Sequence, residues 1–234
     1  MQGSAQTSLQ QLRDRPMVFV DDLELLSLDD GDHHHLQRAL RVRPGAVITA
    51  CDGAGSWRAV RFGDQLEADG PVVVEAPREL RLTIGFAPVK GDRSELVVQK
   101  LTELGADVIV PLLTERSVVR WDEARTAKNA DRHRRIAREA AMQSRNPWLP
   151  TIEPLISLDD FVAARADAVL ADPVGAPIAA YQFSGRDISI AIGPEGGFSS
   201  AELDGRPTVS LPGRILRTET AAITAGVLLA ARRT

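Results

Sequence analysis

The sequence predicts an α/β protein with two domains, a small N-terminal β domain and a larger domain built on a mainly parallel sheet. Several short β-type runs fall within the first 75 residues, and the run "RLTIGFAPV" from residue 81 is almost continuously apolar. Such a run is typical of a strand buried on both faces of a parallel sheet. From there strands alternate with helices, as in the α/β class. We place the domains at residues 1–75 and 81–234, with a linker between them, and expect disorder over residues 1–14.

The N-terminal domain is predicted to be a barrel-like arrangement of short strands with one helix. "RPMVFV" is the first strand, and a helix over residues 27–41 has acids in its first turns and arginines at its end, which suits the helix dipole. The β runs "GAVITACDG" and "SWRAVRFG" are separated by a turn at Asp52–Gly53. "GPVVVEA" adds a further strand.

The C-terminal domain begins with "RLTIGFAPV" and the helix "GDRSELVVQKLTELGA", which stops at Gly105. The apolar stripe predicted on this helix consists of Leu96, Val97, Leu101 and Leu104. Next come the strand "DVIVPLL", a long helix over residues 121–144, the strands "DAVLADP" and "ISIAIGP", the short helix "SAEL", the strand "TVSLPG" and a terminal helix from about Glu219.

Composition limits the functional classes. Hydrophobic residues at 44% and charged residues at 26% are ordinary for a globular protein, and no apolar run is long enough for a membrane span. We see no secretory signal, and one cysteine, Cys51, excludes an internal disulfide, so we expect a cytoplasmic protein. The consecutive residues His33, His34 and His35 point in different directions on a helix, so we expect no metal.

Common cofactor and hydrolase motifs are missing from the sequence. It contains neither G-x-G-x-x-G nor G-x-x-x-x-G-K-[ST], so the sequence does not support a dinucleotide-binding site or a P-loop nucleotide-binding site. "GGFSS" is not the G-x-S-x-G nucleophile elbow, and no obvious histidine follows it. A small-molecule hydrolase is therefore a distant alternative.

Three loops follow three of the predicted C-terminal strands: "LADP" (170–173), "IGPEGG" (192–197) and "LPGRILRTETAA" (211–222). Ligands in open parallel sheets bind beyond the carboxyl ends of the strands. We therefore expect the three loops to form one pocket for a small ligand with an apolar, adenine-like face and polar edges. Taken singly, each loop could serve only to turn the chain.

Arginines accompany this predicted pocket and line the long helix. Arg214 and Arg217 precede the terminal helix, which Thr218 can cap, and an arginine there could hold a phosphate or stabilise an anion. A basic stripe on the long helix could follow a phosphate backbone, or it could be an exposed face kept soluble by charge. The stripe comprises Arg125, Lys128, Arg132, Arg135 and Arg138, and a second basic cluster comprises Arg38, Arg41 and Arg43.

Taken together, these motifs resemble the RsmE family of 16S rRNA (uridine-N3)-methyltransferases. The resemblance rests, in order and spacing, on "HLQRALRVRPG", "CDGAG", "VKGDRSELVVQKLTELGA", "ERS", "REAAMQS", "IGPEGGFS" and "LPGRILRTETAAITA". It covers nearly the whole chain from about residue 15, and the pair "GPEGG" and "LRTETA" is its most specific part.

The resemblance implies an N-terminal PUA-like RNA-binding barrel and a SPOUT methyltransferase domain with a C-terminal trefoil knot. It implies a homodimer that binds S-adenosylmethionine in the knot loops and methylates N3 of a uridine in the 16S rRNA of the 30S subunit. The cofactor-binding residues would be Leu170, Ala171, Asp172, Ile192, Gly193, Pro194, Glu195, Gly196, Leu211, Gly213, Ile215, Leu216, Arg217, Thr218 and Ala221. The RNA-binding residues would be His35, Arg38, Arg41, Lys90, Arg93, Arg116, Arg132, Arg135 and Arg145.

The reaction implied by the resemblance needs a proton acceptor and an anion stabiliser. Glu219 or Glu195 could remove the proton from N3, and Arg217 could stabilise the uridinate. Glu195 could instead accept backbone N–H bonds and fix its glycine loop. The alternatives that stay open are a SPOUT methyltransferase acting on another RNA or base atom, and a catalytically silent RNA-binding or ribosome-assembly protein.

Two departures from the family pattern stand out. The family usually has Gln-Ser-Gly-Arg after the long helix, whereas this chain has Gln143-Ser144-Arg145-Asn146, with the arginine displaced by one position. Ala39 stands where the first-domain motif usually has valine, which is a packing change.

Overall fold

A computed structural model describes residues 10, 12, 14–28, 30–39, 41–119 and 121–233. The chain forms two compact units. The first comprises residues 1–77 and 138–149, and the second comprises residues 78–137 and 150–234. None of the described helices is both long and apolar enough to cross a membrane.

The first unit is built on a five-stranded sheet in the order β1-β2-β3-β4, with β5 also paired to β3. Its strands are β1 (Met17–Phe19), β2 (Val47–Cys51), β3 (Ser56–Arg61), β4 (Glu67–Ala68) and β5 (Val73–Val74). β1 is parallel to β2, and the other pairs are antiparallel. The predicted β2–β3 hairpin is present, and the Asp52 carboxylate closes its turn by accepting bonds from Ala54 N and Ser56 N.

The helix predicted over residues 27–41 is shorter and irregular. It consists of α1 (Asp30–His34), which continues as a π-helical segment over His35–Ala39. His33 packs its ring on Phe62 and places Nε2 3.1 Å from the Gly63 carbonyl oxygen. Among the described residues, no cluster of three or more His, Cys, Asp or Glu forms a metal site.

Part of the N-terminal extension differs from the predicted disorder. Residues 10, 12 and 14 are helical, and Leu12 is only 2% exposed. Leu12 belongs to a hydrophobic cluster with Met17, Phe19 and Trp57, so burial of its side chain favours order at that position. Residues 1–9, 11 and 13 lie outside the described part of the chain.

The predicted domain boundaries need correction because residues 138–149 belong to the first unit. Ala141 and Met142 are buried in the cluster that contains Met17 and Trp57. Helical periodicity shows which face of a helix is apolar, but not which core that face packs against. The boundary near the linker also moves, from residue 81 to residue 78.

Trp148 explains why the segment after the long helix stays with the first unit. Its Nε1 donates to the Glu75 carboxylate over 3.3 Å, and it forms an isolated antiparallel bridge with Ala54. A Cβ atom at Gly55 would lie 2.1 Å from the Trp148 ring, so only glycine fits beneath the indole.

The second unit contains a seven-stranded sheet in the order β12-β10-β11-β6-β7-β8, with β9 also paired to β7. Every pairing in it is parallel. The strands are β6 (Arg81–Phe86), β7 (Val108–Leu113), β8 (Thr151–Ile152), β9 (Ile156–Ser157), β10 (Val169–Pro177), β11 (Asp187–Ile192) and β12 (Thr208–Ser210). The mainly parallel α/β sheet predicted from the apolar runs is therefore confirmed.

Six further elements complete the description of the helices. They are α2 (Arg93–Glu103), α3 (Glu123–Ser144), which enters the first unit at Arg138, α4 (Leu158–Ala163), α5 (Ser200–Leu203), α6 (Thr218–Ala230) and a 3-10 turn (Ala231–Arg233). The α2 stripe was partly wrong, because Leu96 is 39% exposed whereas Val98 is buried. The sequence did not predict β8, β9 or α4, since each is too short to show a clear periodicity.

Asp107 fixes the start of the second unit. Its carboxylate accepts a 2.7 Å bond from Leu82 N, contacts Arg78 at 3.2 Å, and forms a close ion pair with Arg233. Arg78 and Arg233 also donate to the Gly105 carbonyl oxygen. Residue 78 is therefore already bound into the second unit, three residues before the predicted boundary.

Arg145 occupies the position where the resembled family has glycine, and its backbone shows why. It follows α3 with φ +58°, in the left-handed region that favours glycine. Asn146 N donates to Ala141 O over 3.0 Å, as in a Schellman helix end. The Arg145 guanidinium folds back onto the Met142 carbonyl oxygen, and burial lowers the pKa of this guanidinium.

Replacing Arg145 by glycine is expected to stabilise the protein relative to Arg145→Ala. Both variants remove the same side chain, but only glycine adopts the positive φ without steric cost, a difference of about 1 kcal/mol. The free energies of unfolding from urea denaturation provide the measurement. An Arg145→Ala protein as stable as Arg145→Gly would show that this helix end carries no backbone strain.

Candidate functional site

Three strand ends meet in register at one edge of the parallel sheet. Ala171 in β10 pairs with Ile192 of β11 on one side and with Val209 of β12 on the other. Because all three strands are parallel, the segments that follow these residues leave the sheet at its carboxyl edge. This is the edge at which open α/β sheets bind ligands.

The first of the three segments is not the loop that the sequence predicted. "LADP" lies within β10, which extends to Pro177. Both Ala171 and Ala176 pair with Val209, so residues 172–175 form an excursion between two paired stretches. In it the Asp172 carboxylate accepts a 3.0 Å bond from Val174 N.

Gly175 lies where this excursion crosses β12. A Cβ atom there would come within 2.6 Å of Val209 N and 2.7 Å of Thr208 C, both backbone atoms. Only glycine allows two backbones to approach so closely. A side chain at position 175 would therefore prevent this close crossing of the two backbones.

The second segment, residues 193–199, is a tight turn anchored by a buried ring. Gly197 N donates to Pro194 O over 2.8 Å, and Gly197 has φ +67°. Phe198 is buried in the core on one side of the sheet. Glu195 and Gly196 form the exposed tip of the turn.

Glu202 fastens the end of this turn to the segment after β7. Its carboxylate accepts from Ser199 N in a capping box at the start of α5, and from Glu115 N, each over 2.8 Å. Arg116 next to it donates to the Gly196 carbonyl oxygen over 2.8 Å. The 193–199 turn is thus held by the segment that follows β7, a contact that the sequence did not predict.

The third segment ends at the start of α6, where Thr218 has a different role from the predicted cap. The N-cap residue is Arg217, whose side chain makes no capping bond. Thr218 is the first helical residue and donates from Oγ1 to the Gly193 carbonyl oxygen over 3.0 Å. This bond joins the second and third segments directly.

Glu219 follows in the first turn of α6 and is 8% exposed. Its Oε1 lies 3.4 Å from Arg93 Nη1, and the same nitrogen lies 3.7 Å from Oε1 of Glu195. Oε2 of Glu219 is buried and has no hydrogen-bond partner among the described residues. Because a buried acceptor without a donor is costly, this oxygen is suited to receive a proton donor from a ligand.

The two acids that the sequence left open are now distinguished by their surroundings. The Glu195 side chain is 48% exposed, and its contact within the described chain is Arg93 rather than a backbone N–H. The alternative in which Glu195 fixes its loop through backbone bonds is therefore not what the geometry shows.

The predicted cofactor residues divide into exposed and buried groups. The side chains of Leu170, Ile192 and Ala221 are buried in the cores, which leaves only their backbone groups for a ligand. Ile215 is 86% exposed, and Leu211 and Leu216 are partly buried. The exposed predicted residues also include Glu195, Gly196, Gly213 and Arg217.

A cavity of about 280 Å³ lies beside the end of β7. Its lining comprises Leu113, Thr114, Glu115, Ser157, Leu158, Asp159 and Glu202. None of the predicted cofactor residues lines it.

The predicted basic stripe on α3 is not uniformly free. Arg132 pairs with Glu95 at 2.5 Å, while Arg138 pairs closely with Asp32 and lies over the Phe19 ring. Four other predicted RNA contacts are exposed, with no side-chain hydrogen bond or ion pair among the described residues: Arg38, Arg41, Lys90 and Arg135. The side chain of His35 lies outside the described part of the chain.

Two further titratable groups are unsuited to proton transfer near neutral pH. Burial lowers the pKa of His133 to about 4, and its ring lies tilted against that of Trp121, with 6.0 Å between the ring centroids. Burial raises the pKa of the Cys51 thiol. Both groups are therefore neutral at pH 7 and serve the cores.

Comparison with known proteins identifies the family. A sequence model of the RNA methyltransferase domain family matches residues 76–230. The chain is 30% identical over 228 residues to the ribosomal RNA small subunit methyltransferase E of Bacillus subtilis, covering 87% of this chain and 89% of that protein. It is 31% identical over 236 residues to the protein of the same name from Mycobacterium tuberculosis, covering 89% and 88%.

Solved structures agree with this. The structure of a Legionella pneumophila methyltransferase in complex with the cofactor SAM superimposes with a TM-score of 0.82 at 28% identity, over 93% of this chain and 98% of that chain. The ribosomal RNA small subunit methyltransferase E of Neisseria gonorrhoeae, bound to S-adenosyl methionine, has a TM-score of 0.82 at 27% identity with the same coverage. The resemblance predicted from the motifs is confirmed, and the chain belongs to the ribosomal RNA small subunit methyltransferase E family.

Proposed function

We propose that this protein transfers a methyl group from S-adenosylmethionine to N3 of a uridine in the 16S rRNA of the small ribosomal subunit. Family membership and the two cofactor-bound relatives support the cofactor and the rRNA substrate. The observation that favours proton removal from a base is the buried Glu219 carboxylate, which has one oxygen without a hydrogen-bond partner among the described residues and follows the exposed Arg217 by two positions.

The cofactor site that we propose lies at the three joined strand ends. S-adenosylmethionine, when bound, supplies the methyl group on a positively charged sulfur. Backbone groups of the 170–173 and 192–197 segments offer hydrogen bonds to its polar edges, while Leu211, Ile215 and Leu216 offer apolar contact to its adenine. The bond from Thr218 to Gly193 keeps two walls of this site together.

In the proposed mechanism Glu219 accepts the N3 proton through Oε2. Breaking the N3–H bond leaves an electron pair on N3 for the new bond to the methyl carbon. The methyl–sulfur bond would break at the same time with its electron pair kept by the sulfur, so that neutral S-adenosylhomocysteine would leave. The negative charge of the uridinate is shared with O2 and O4, and Arg217 stabilises it. Arg217 is suited to this task because its guanidinium is exposed at the helix N-cap, with no side-chain partner among the described residues.

The finer fold and assembly follow from the same resemblance and are part of the proposal. We propose a PUA-like barrel for the first unit and a trefoil knot at the carboxyl edge of the second. The close crossing of Gly175 over Thr208–Val209 supports a chain that threads at this point. We further propose a homodimer, and a reaction located in the cytoplasm, where the small ribosomal subunit is found.

RNA contacts are proposed for the exposed cations that have no side-chain partner in the described chain, namely Arg38, Arg41, Lys90 and Arg135. Each such contact neutralises a phosphate and adds to the salt dependence of binding. Arg132, Arg93 and Arg116 are less available, since protein groups already occupy their guanidinium groups.

Two measurements on the wild-type protein test this function. Calorimetric titration with S-adenosylmethionine should show one site per chain, and labelled methyl groups should enter small-subunit rRNA offered as 30S subunits or as free 16S rRNA. A protein that binds the cofactor but labels neither would not be the proposed enzyme. A protein that does not bind the cofactor at all would instead be a silent RNA-binding module.

A further inference from the structure

The position of Arg93 is fixed by contacts within the protein. It is the first residue of α2, and the segment that leads into this helix is closed by two bonds between Ser94 Oγ and the backbone of Val89, at 3.0 and 3.3 Å. Its own Nε donates to the Lys90 carbonyl oxygen over 3.3 Å. The guanidinium therefore extends from a fixed stem.

The end of this side chain links two acids from two different segments. Nη1 lies 3.4 Å from Glu219 Oε1 and 3.7 Å from Glu195 Oε1. Two carboxylates this close would repel each other without a cation between them. Because Glu219 is 8% exposed, its carboxylate also needs partners within the protein that replace its contacts with water.

The contacts of Arg93 with Glu219 and Glu195 are not explained by its predicted role as an RNA contact. A phosphate that took its guanidinium would remove the charge partner of a buried carboxylate. The second arginine of this kind, Arg116, holds the same turn from the other side through the Gly196 carbonyl oxygen. The 193–199 turn is therefore held by two arginines, one at the start of α2 and one in the segment that follows β7.

We propose that Arg93 is a positioning residue, which orients the Glu219 carboxylate and ties the 193–197 turn to it through Glu195. The proposal rests on the proposed function, in which Glu219 accepts the N3 proton. Its consequence is that Arg93 acts on the rate of methyl transfer and on the order of the turn, and not on RNA affinity.

The kinetic test compares Arg93→Gln with Arg93→Lys. Misplacement of a reacting group by about 1 Å costs on the order of 100-fold in rate. We therefore expect Arg93→Gln to lower kcat about 10- to 100-fold while KM for rRNA changes less than about threefold. Arg93→Lys keeps the charge and should recover part of this loss. Arg186→Gln removes an exposed arginine before β11, at the opposite edge of the sheet, and is the matched control with wild-type kcat.

The salt dependence of RNA binding separates positioning from phosphate contact. For Arg93→Gln the slope of log affinity against log salt should equal that of wild type, whereas Lys90→Gln should reduce it by about one. A slope reduced by about one in Arg93→Gln, with kcat unchanged, would make Arg93 an RNA contact. Unchanged kcat together with an unchanged slope would equally overturn the proposal.

Hydrogen exchange on the free protein gives a measurement independent of catalysis. The Gly197 N–H closes the turn onto Pro194 O, so its exchange should be about 10-fold faster in Arg93→Gln, intermediate in Arg93→Lys and as in wild type in Arg186→Gln. Equal exchange in all four proteins would exclude the tie. If the wild type failed to methylate small-subunit rRNA, the proposed function would fall while this result still decided the role of Arg93. Thermal melting checks that each variant is folded.

Discussion

Glu219→Gln is expected to lower kcat for methyl transfer by about 10²- to 10⁴-fold, the usual contribution of a positioned general base. Glutamine has nearly the same shape but cannot take the N3 proton. Affinity for S-adenosylmethionine should change little, since the substitution keeps the packing around a residue that is 8% exposed. Steady-state methylation at saturating cofactor and rRNA provides kcat, and calorimetry provides the cofactor affinity.

Glu195→Gln is the matched control for this prediction. Its side chain is half exposed and, within the described part of the chain, contacts Arg93 rather than Glu219, so we expect a smaller loss, of about 10-fold. If Glu195→Gln lost more activity than Glu219→Gln, the assignment of the two acids would have to be reversed.

Arg217→Ala is expected to lower kcat by about 10²- to 10³-fold, in line with the loss of one group that stabilises a developing anion. The change should leave the fold intact, because the Arg217 side chain is exposed and makes no capping bond to α6. Methylation rates at saturating substrates, measured beside the cofactor affinity, separate catalysis from binding.

Arg186→Ala removes the same kind of side chain from the opposite edge of the sheet and serves as the control. Its kcat should equal that of wild type. Full turnover by Arg217→Ala with normal cofactor binding would remove Arg217 from the mechanism. A loss of cofactor affinity that accounts for the whole effect would make it a binding residue instead.

Hydrophobic runs and strand order were enough to predict the parallel sheet and part of the candidate site. The apolar runs that became β6, β7 and β11 predicted a parallel sheet, and their shared direction predicted that the segments after Ile192 and Ser210 meet at one edge. The loop predicted at residues 170–173 was wrong, because these residues lie within β10. Both Ala171 and Ala176 pair with Val209, and this crossing of two backbones produces no periodic pattern in the sequence.

Ion pairs between residues far apart in the chain could not be predicted from the sequence. Arg93 meets Glu195 and Glu219 across more than one hundred positions of the chain, and nothing in the local sequence tells such an arginine from one that faces RNA. Arg138 belongs to the basic stripe that was predicted either to follow a phosphate backbone or to be an exposed face, but it binds Asp32. One signal was available at Arg145, where a non-glycine residue in a glycine position of the motif pointed to a positive φ.

The central claim is that this protein methylates N3 of uridine in small-subunit rRNA, and the identity of the modified nucleoside tests it most directly. Wild-type protein would be incubated with S-adenosylmethionine and unmodified 30S subunits, and the 16S rRNA would be digested to nucleosides for mass spectrometry. We predict 3-methyluridine, about one per 16S rRNA, absent when Glu219→Gln replaces the wild type over the same time. A methyl group on another base, on another atom of uridine or on a ribose would contradict the account.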